Sequence, residues 1–191
     1  PPWQPEPAPP MDTIYRGDLS TTRGRINAWV DALFIDHAVF RLVWSNLATV
    51  APGRLYRCNH PTPARLEKLT KELGLTTLIN LRGQAKNGSD ALSREAAARL
   101  GLEFHDMALE SRGAPQKDRI LRIDGIYRNL PGPALVHCKS GADRAGLASA
   151  LYIVLNGGTA AEALKHLSLR YGHIKQAKTG ILDAFFLRWQ R

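Results

Sequence analysis

Between Pro63 and Val136 the chain alternates twice between helical periodicity and short apolar runs, then repeats the pattern a third time. Pro63 to Leu73 reads as a helix closed by Gly74, and the run Thr76-Thr77-Leu78-Ile79-Asn80-Leu81 follows as a buried strand. Ala91 to Leu100 and Gly101 form the next helix with its stop, ahead of a strand from Glu103 to Leu109. The third unit is a helix from Pro115 to Asn129, the turn Pro131-Gly132-Pro133 and the strand Ala134-Leu135-Val136. Such alternation predicts an α/β fold: a central, mostly parallel sheet of four to five strands flanked by helices. Leu55-Tyr56-Arg57 is a further short strand, and three helices are expected after it all, over Arg144 to Asn156, Ala160 to Leu169 and Thr179 to Trp189. In sheets of this kind ligands gather at the carboxyl ends of strands, where Arg82 and His137-Cys138 fall.

With 191 residues, 44% of them hydrophobic, the chain can bury one core but not comfortably two. The expected organisation is a proline-rich tail and extended lead-in over residues 1–24, followed by one domain over 25–191. Six of the twelve prolines lie in the first ten residues. The absence of an initiating Met or an apolar leader there reads as a trimmed start, with the chain placed in the cytoplasm or at a membrane. Residues 25–47 carry Ile26, Trp29, Val30, Leu33, Phe34, Val39, Phe40, Val43 and Trp44 at helical spacings. This amphipathic stripe is expected to pack on the core, the sharper alternative being peripheral membrane contact, with a helix break at Asp36-His37. No stretch is long and apolar enough to read as a membrane span.

The net charge of +9 comes mostly from 18 Arg against 8 Lys. Arginine presents a planar fork suited to phosphate, so an anionic partner is expected. Interleaved aromatic and basic positions are lacking, which argues against nucleic acid. Only Cys58 and Cys138 occur, far from the density of a disulfide scaffold.

The segment that carries chemistry is Leu135-Val136-His137-Cys138-Lys139-Ser140-Gly141-Ala142-Asp143-Arg144-Ala145-Gly146. An apolar strand leads in, small residues fill the turn and good helix formers lead out. That arrangement can curl backbone N–H groups around a tetrahedral anion at a helix N-terminus. The same potential favours the anionic, nucleophilic form of the Cys138 sulfur. Arg144 supplies a fork for two phosphate oxygens. Strand alternation turns His137 to the other side, giving it a supporting role.

His-Cys followed after five residues by Arg resembles the cysteine-based protein tyrosine phosphatase superfamily, in particular its dual-specificity-like bacterial branch. Arg54-Leu55-Tyr56-Arg57 with Pro61, and Ile79-Asn80-Leu81-Arg82-Gly83, resemble that family's lead-in strand and its strand ending in arginine. The resemblance implies that Cys138 forms a cysteinyl-phosphate. It implies that Lys139, Ser140, Gly141 and Ala142, with Arg82, bind the phosphate and that Arg144 clamps it. No metal or other cofactor is implied. The expected substrate is a phosphorylated protein (on tyrosine, serine or threonine) or a phospholipid; the alternative is a catalytically weak or inactive phosphate-binding module.

The proton donor departs from the usual pattern. Ser111 falls where relatives carry an aspartate upstream, with Glu110 and Asp106 as nearby substitutes. The Asp before the loop arginine resembles myotubularins and bacterial triple-specificity phosphatases, which makes Asp143 the first choice, against a plain helix-capping role. Ala145 replaces the hydroxyl residue of many relatives. Cys58 reads as a small half-buried residue, or less favourably as a disulfide partner for Cys138.

Overall fold

The computed structural model of the chain describes residues 15–37, 39 and 43–189. The prolines at the start and Phe40 lie outside the described residues. Five strands form one sheet: β1 (Ala48–Ala51), β2 (Leu55–Cys58), β3 (Thr77–Asn80), β4 (Glu103–Asp106) and β5 (Ala134–His137), in the order β1-β2-β5-β3-β4. All neighbours run parallel except β1 and β2, which form a hairpin. The sheet is thus the mostly parallel one expected, with β1 as the strand that sequence reading did not find. β1 has no buried side chain, so it lacks the apolar run that marks a buried strand. Gly53, at φ 68°, lets the chain reverse after it.

Helices α1 (Thr22–Val30), α2 (Pro63–Leu73), α3 (Gly88–Arg99), α4 (Lys117–Arg128), α5 (Asp143–Leu155), α6 (Ala160–Leu164) and α7 (Ile181–Trp189) surround the sheet. Their starts follow local chemistry. The Thr62 side chain accepts from the Arg65 N–H with Pro63 at the first helical position, Asn87 accepts from Asp90, and Thr159 with Glu162 completes a capping box. α2 ends on Gly74 in the left-handed conformation at φ 62°.

Alternation along the strands divides the core. Cys58, Leu78 and Leu135 face α2 and α3, packing on Leu66, Leu69, Ala96 and Ala97. Leu55, Ile79 and Val136 face the other way, against Ile123, Leu147, Leu151, Leu182 and Phe186. Burying such side chains contributes about 1.5–3 kcal/mol each, so the apolar alternation of β3 and β5 settles both faces. The helix expected from Ala160 to Leu169 stops at Leu164. Beyond it the chain is drawn onto α5, where a Cβ on Gly146 would stand 2.7 Å from the His166 carbonyl oxygen. That oxygen instead accepts from Arg57 at 2.7 Å, a bond that a continuing helix would have claimed.

The start of the chain packs differently from expectation. α1 begins at Thr22, within the stretch read as lead-in, and Tyr15 is buried with Ala28, Ala32 and Leu92. The face of α1 and the following π-helical turn (Asp31–Ile35) that meets the domain is Ala28, Asp31 and Ala32. The apolar stripe expected to pack inward is instead solvent-facing: Ile26, Trp29, Phe34, Val43 and Trp44 are all exposed, Phe34 at 63%. The reason is closeness of approach. A Cβ on Gly88 would lie 2.2 Å from the Ala28 carbonyl oxygen, and the Gly88 N–H donates to Asp31 at 2.7 Å. Only small side chains fit where two backbones touch, so the bulky ones are turned out. Asp36 and His37 do mark the break, with the turn closing at Asp36 and His37 at φ 57°.

Gly88→Ala is expected to lower the unfolding free energy by about 1–3 kcal/mol in urea titration, the range for overpacking a tight contact. Gly125→Ala, whose Cβ meets nothing within 4 Å, should not be destabilising and serves as the control.

Candidate active site

The register of the parallel strands lines up their carboxyl ends. Cys58 lies opposite His137, His137 opposite Asn80, and Asn80 opposite Asp106. From this row the chain after β5 turns through residues 138–142 into α5, so Cys138 sits at a strand end and Asp143 and Arg144 open the helix.

Four successive carbonyl groups of the turn, those of residues 139 to 142, bond to donors outside it. Lys139 O accepts from the His60 N–H at 3.2 Å, and Ser140 O from Asn46 Nδ2 at 3.0 Å. Gly141 O and Ala142 O accept from one Arg57 nitrogen, Nη2, at 2.5 and 3.1 Å. A trans peptide unit sets its N–H opposite its C=O, and there are no cis peptides among the described residues. The N–H groups of Ser140, Gly141, Ala142 and Asp143 therefore face away from those outer donors, that of Ala142 lying 3.4 Å from Ser140 Oγ. One of them, that of Gly141, donates to Cys138 Sγ at 3.2 Å. This is a nest of donors at the start of a thirteen-residue helix, with the sulfur inside it.

Gly141 is required for this curl. Its φ is +76°, and a Cβ there would meet the Asn59 nitrogen at 2.7 Å and the Cys58 carbonyl carbon at 2.8 Å. Behind the loop Arg57 is wholly buried, its guanidinium 4.1 Å from the Tyr171 ring centre. Burial pushes it down to about 10, against the opposing pull of Cys138, so it stays charged at neutral pH. His166 is pushed down to about 4 by burial and then by the Arg57 charge, which keeps it neutral beside that cation.

The residues expected to hold phosphate are not alike. Arg144 is half-buried and, among the described residues, makes no hydrogen bond or ion pair, so its fork is uncommitted. Arg82 is bound through both Nη atoms to Asp36, at 2.8 and 2.9 Å, with Nη1 also 3.3 Å from His60 Nδ1. Lys139 Nζ lies 3.3 Å from the same fully buried Asp36 carboxylate. Asp36 thus ties the N-terminal segment to two of the expected cations.

His137 stacks edge-on against His60, ring centres 4.6 Å apart, on the sheet side away from Cys138, as alternation predicts. Cys58 is fully buried rather than half-buried. Burial, with Cys138 nearby, raises its thiol far above the usual range. Its side chain joins the α2–α3 face while Cys138 joins the opposite one, so a disulfide between them would need the backbone to move. Both cysteines are free.

Of the candidate proton donors, Asp106 is fixed by Arg94 Nη2 at 2.7 Å and by Asn80 at 3.1 Å, two strands across the sheet from Cys138. Glu110 is half-buried, with Oε2 lacking a hydrogen-bond partner among the described residues. Asp143 does not cap its helix, since the cap residue is Ala142 with no side-chain bond. Its Oδ1 lies 2.7 Å from His173 Nδ1.

Sequence reading assigned no site role to Arg57, Asn46, Asp36, His60 or His173, although Asp36 marked a helix break and Arg57 closed the lead-in strand. Arg57 carried one signal: it shares a strand face with buried Leu55, an unusual place for a charge. The others act through contacts distant in sequence. Among the described residues no group of His, Cys, Asp and Glu is arranged to hold a metal ion, and no helix is long and apolar enough to cross a membrane.

Residues 45–180 match the family model described as PTP-SAK, Swiss Army Knife protein, DSP-PTPase phosphatase domain. No curated protein matches the sequence. Among solved structures, TpbA of P. aeruginosa is similar at 20% identity and a TM-score of 0.58, covering 78% of this chain and 97% of that one. The same protein as a Cys-to-Ser variant with phosphotyrosine is 19% identical with a TM-score of 0.58, over 78% and 96%. The core catalytic domain of the PP-IP phosphatase SIW14 from S. cerevisiae, in complex with citrate, is 14% identical with a TM-score of 0.61, over 74% and 86%. At these identities the likeness is one of fold.

Arg57→Lys should lower stability by about 1–3 kcal/mol, because a single ammonium nitrogen cannot stand where two guanidinium nitrogens do, Nη1 on His166 O and Nη2 on Gly141 O and Ala142 O, so buried acceptors are left without donors. Urea unfolding measures that loss, and isothermal titration with inorganic phosphate should show weakened binding although Arg144 is intact.

Proposed function

Because the chain belongs to this family of dual-specificity-type phosphatase domains, we propose that it hydrolyses phosphate monoesters through a cysteinyl-phosphate on Cys138. The observation that carries the reading is the bonding of four successive carbonyls to donors outside the loop, with the Gly141 N–H donating to the Cys138 sulfur, which supports a loop whose N–H groups are turned to the sulfur's side. Those donors and the free fork of Arg144 match the equatorial oxygens of a transferring phosphoryl group, where charge is met without reorganisation.

In the first step the Cys138 thiolate attacks phosphorus, the bond to the leaving oxygen breaks, and Asp143 gives that oxygen a proton. In the second, water attacks the phosphorus, the P–S bond breaks and the water's proton goes to Asp143. Asp143 is preferred because Asp106 is already ion-paired with Arg94, whereas Asp143 opens the loop helix with its Oδ2 uncommitted among the described residues. Buried Ala145 offers no hydroxyl to the sulfur, so breakdown of the intermediate is the slower step.

As to substrate, a phosphorylated protein and a phospholipid headgroup both fit the loop. The outward stripe of Ile26, Trp29, Phe34, Val43 and Trp44 favours the lipid. It flanks the segment that supplies Asp36 and Asn46 to the site, and the net charge of +9 suits an anionic surface. TpbA with phosphotyrosine and the PP-IP phosphatase SIW14 indicate that related folds take chemically different phosphates. A panel of phosphopeptides and phosphoinositide vesicles separates the two classes.

Cys138→Ser should abolish phosphate release while leaving phosphate binding, since serine keeps the size but is not ionised. Arg144→Lys should lower kcat by on the order of 10²–10³, the loss typical of one transition-state donor. Steady-state assays check both, and substantial turnover by Cys138→Ser would sink the covalent scheme.

A further inference from the structure

Asp143 is one end of a three-residue chain. Its Oδ1 lies 2.7 Å from His173 Nδ1, and His173 Nε2 lies 2.7 Å from Asp183 Oδ2. The His173 side chain has no exposure to solvent and that of Asp183 only 7%, while Asp143 keeps 26%. The chain therefore runs from the interior to the mouth of the loop.

Its parts are held independently of one another. Asp183 stands in the first turn of α7 and Asp143 in that of α5. His173 follows Gly172, whose φ of +80° turns the backbone, and its N–H donates to Ser168 O at 3.2 Å. Asn46 Nδ2 donates both to Tyr171 O, at 2.9 Å, and to Ser140 O, pinning the histidine's turn to the phosphate loop. Arg57, packed under Tyr171, places its charge close to Asp143 and Cys138.

Proton counting makes this more than packing. A neutral imidazole carries one N–H, yet both ring nitrogens sit at hydrogen-bond distance from carboxyl oxygens. Two such bonds need a second proton, held either by the ring as imidazolium or by one of the two carboxyl groups. In each arrangement a proton lies on Asp143 or one hydrogen bond away from it. A helix cap or a buried ion pair alone would need only one such contact.

We propose that His173, held by Asp183, is a positioning residue that shares a proton with Asp143 and keeps its other oxygen turned to the loop. This rests on the reading of Asp143 as the leaving-group acid. When the P–O bond breaks and the leaving oxygen takes the proton from Asp143, the new carboxylate is met by the His173 ring. When water attacks the cysteinyl-phosphate and the P–S bond breaks, the water's proton restores Asp143. Nothing is consumed in the chain, whose state after both steps equals that before them. The arrangement bears on one class of substrate above others: esters with poor leaving groups, such as the alkyl phosphates of lipid headgroups and phosphoserine, which need that proton most.

The test compares Asp143→Asn, His173→Gln and the double variant on an alkyl and an activated aryl phosphate, with inhibition by inorganic phosphate as a measure of binding. Asp143→Asn should lower kcat/KM on the alkyl ester by on the order of 10²–10⁴ and on the aryl ester far less. His173→Gln should lower alkyl kcat/KM by at least about tenfold with phosphate inhibition unchanged, and the double variant should be no slower than Asp143→Asn. Loss of leaving-group bias in His173→Gln alone, or multiplication of the two effects, overturns the relay and makes His173 structural. Absence of bias in Asp143→Asn overturns the acid assignment and the relay with it. Should His173→Gln fail to fold, nitrogen NMR of the His173 ring decides: its signals should shift in Asp143→Asn and on saturation with inorganic phosphate, and signals unmoved by both refute the proposal.

Discussion

A guanidinium without solvent contact stands behind the loop from Cys138 to Arg144 and holds it from outside. Arg57 reaches Gly141 O, Ala142 O and His166 O, three carbonyls that belong to the loop and to the chain after α6. Burying a cation costs several kcal/mol unless it is well bonded, and here the bonds do the work of aligning peptides. Pulling a carbonyl outward turns the following N–H the other way, so one buried charge helps shape a turn of small residues into the proposed anion site. The conformation of Gly141, the place of Cys138 and the early end of α6 all depend on that alignment.

Two further ties complete the frame. Asn46, just before β1, binds the carbonyls of Ser140 and Tyr171, so the loop and the turn that carries His173 move as one body. Asp36, from the segment beyond α1, holds Arg82 and Lys139. The N-terminal segment is therefore not an appendage: it supplies a buried carboxylate to Arg82 and Lys139 beside the candidate site while α1 rests on α3 through Ala28 and Gly88. The side chains that this close contact cannot admit are turned to solvent, which links a packing constraint to the apolar surface beside the loop.

Much of this was legible in the sequence because it is local. The alternation that fixes β3, β4 and β5, the glycine and threonine signals at helix ends, and the loop from Cys138 to Arg144 depend on neighbours a few residues apart. The hairpin strand β1 was not, since Ala48-Thr49-Val50-Ala51 carries no buried alternation. The aromatic stripe misled because periodicity tells which residues share a face but not which face is buried. Here, two touching backbones chose Ala28 and Ala32 over Trp29 and Phe34. Arg57, Asp36 and His173 could not be assigned roles because their partners lie far along the chain, at residues 141, 82 and 143. Long-range polar contacts leave no periodic trace.

The account stands or falls on where the phosphoryl group rests between the two chemical steps. Rapid acid quench of the enzyme during turnover of an aryl phosphate, followed by peptide mass spectrometry, reads that position directly. One phosphoryl group on the peptide containing Cys138, formed as fast as the first alcohol is released and absent from Cys138→Ser, is the predicted result. Steady product formation with no label on that cysteine, or label on another residue, would contradict it.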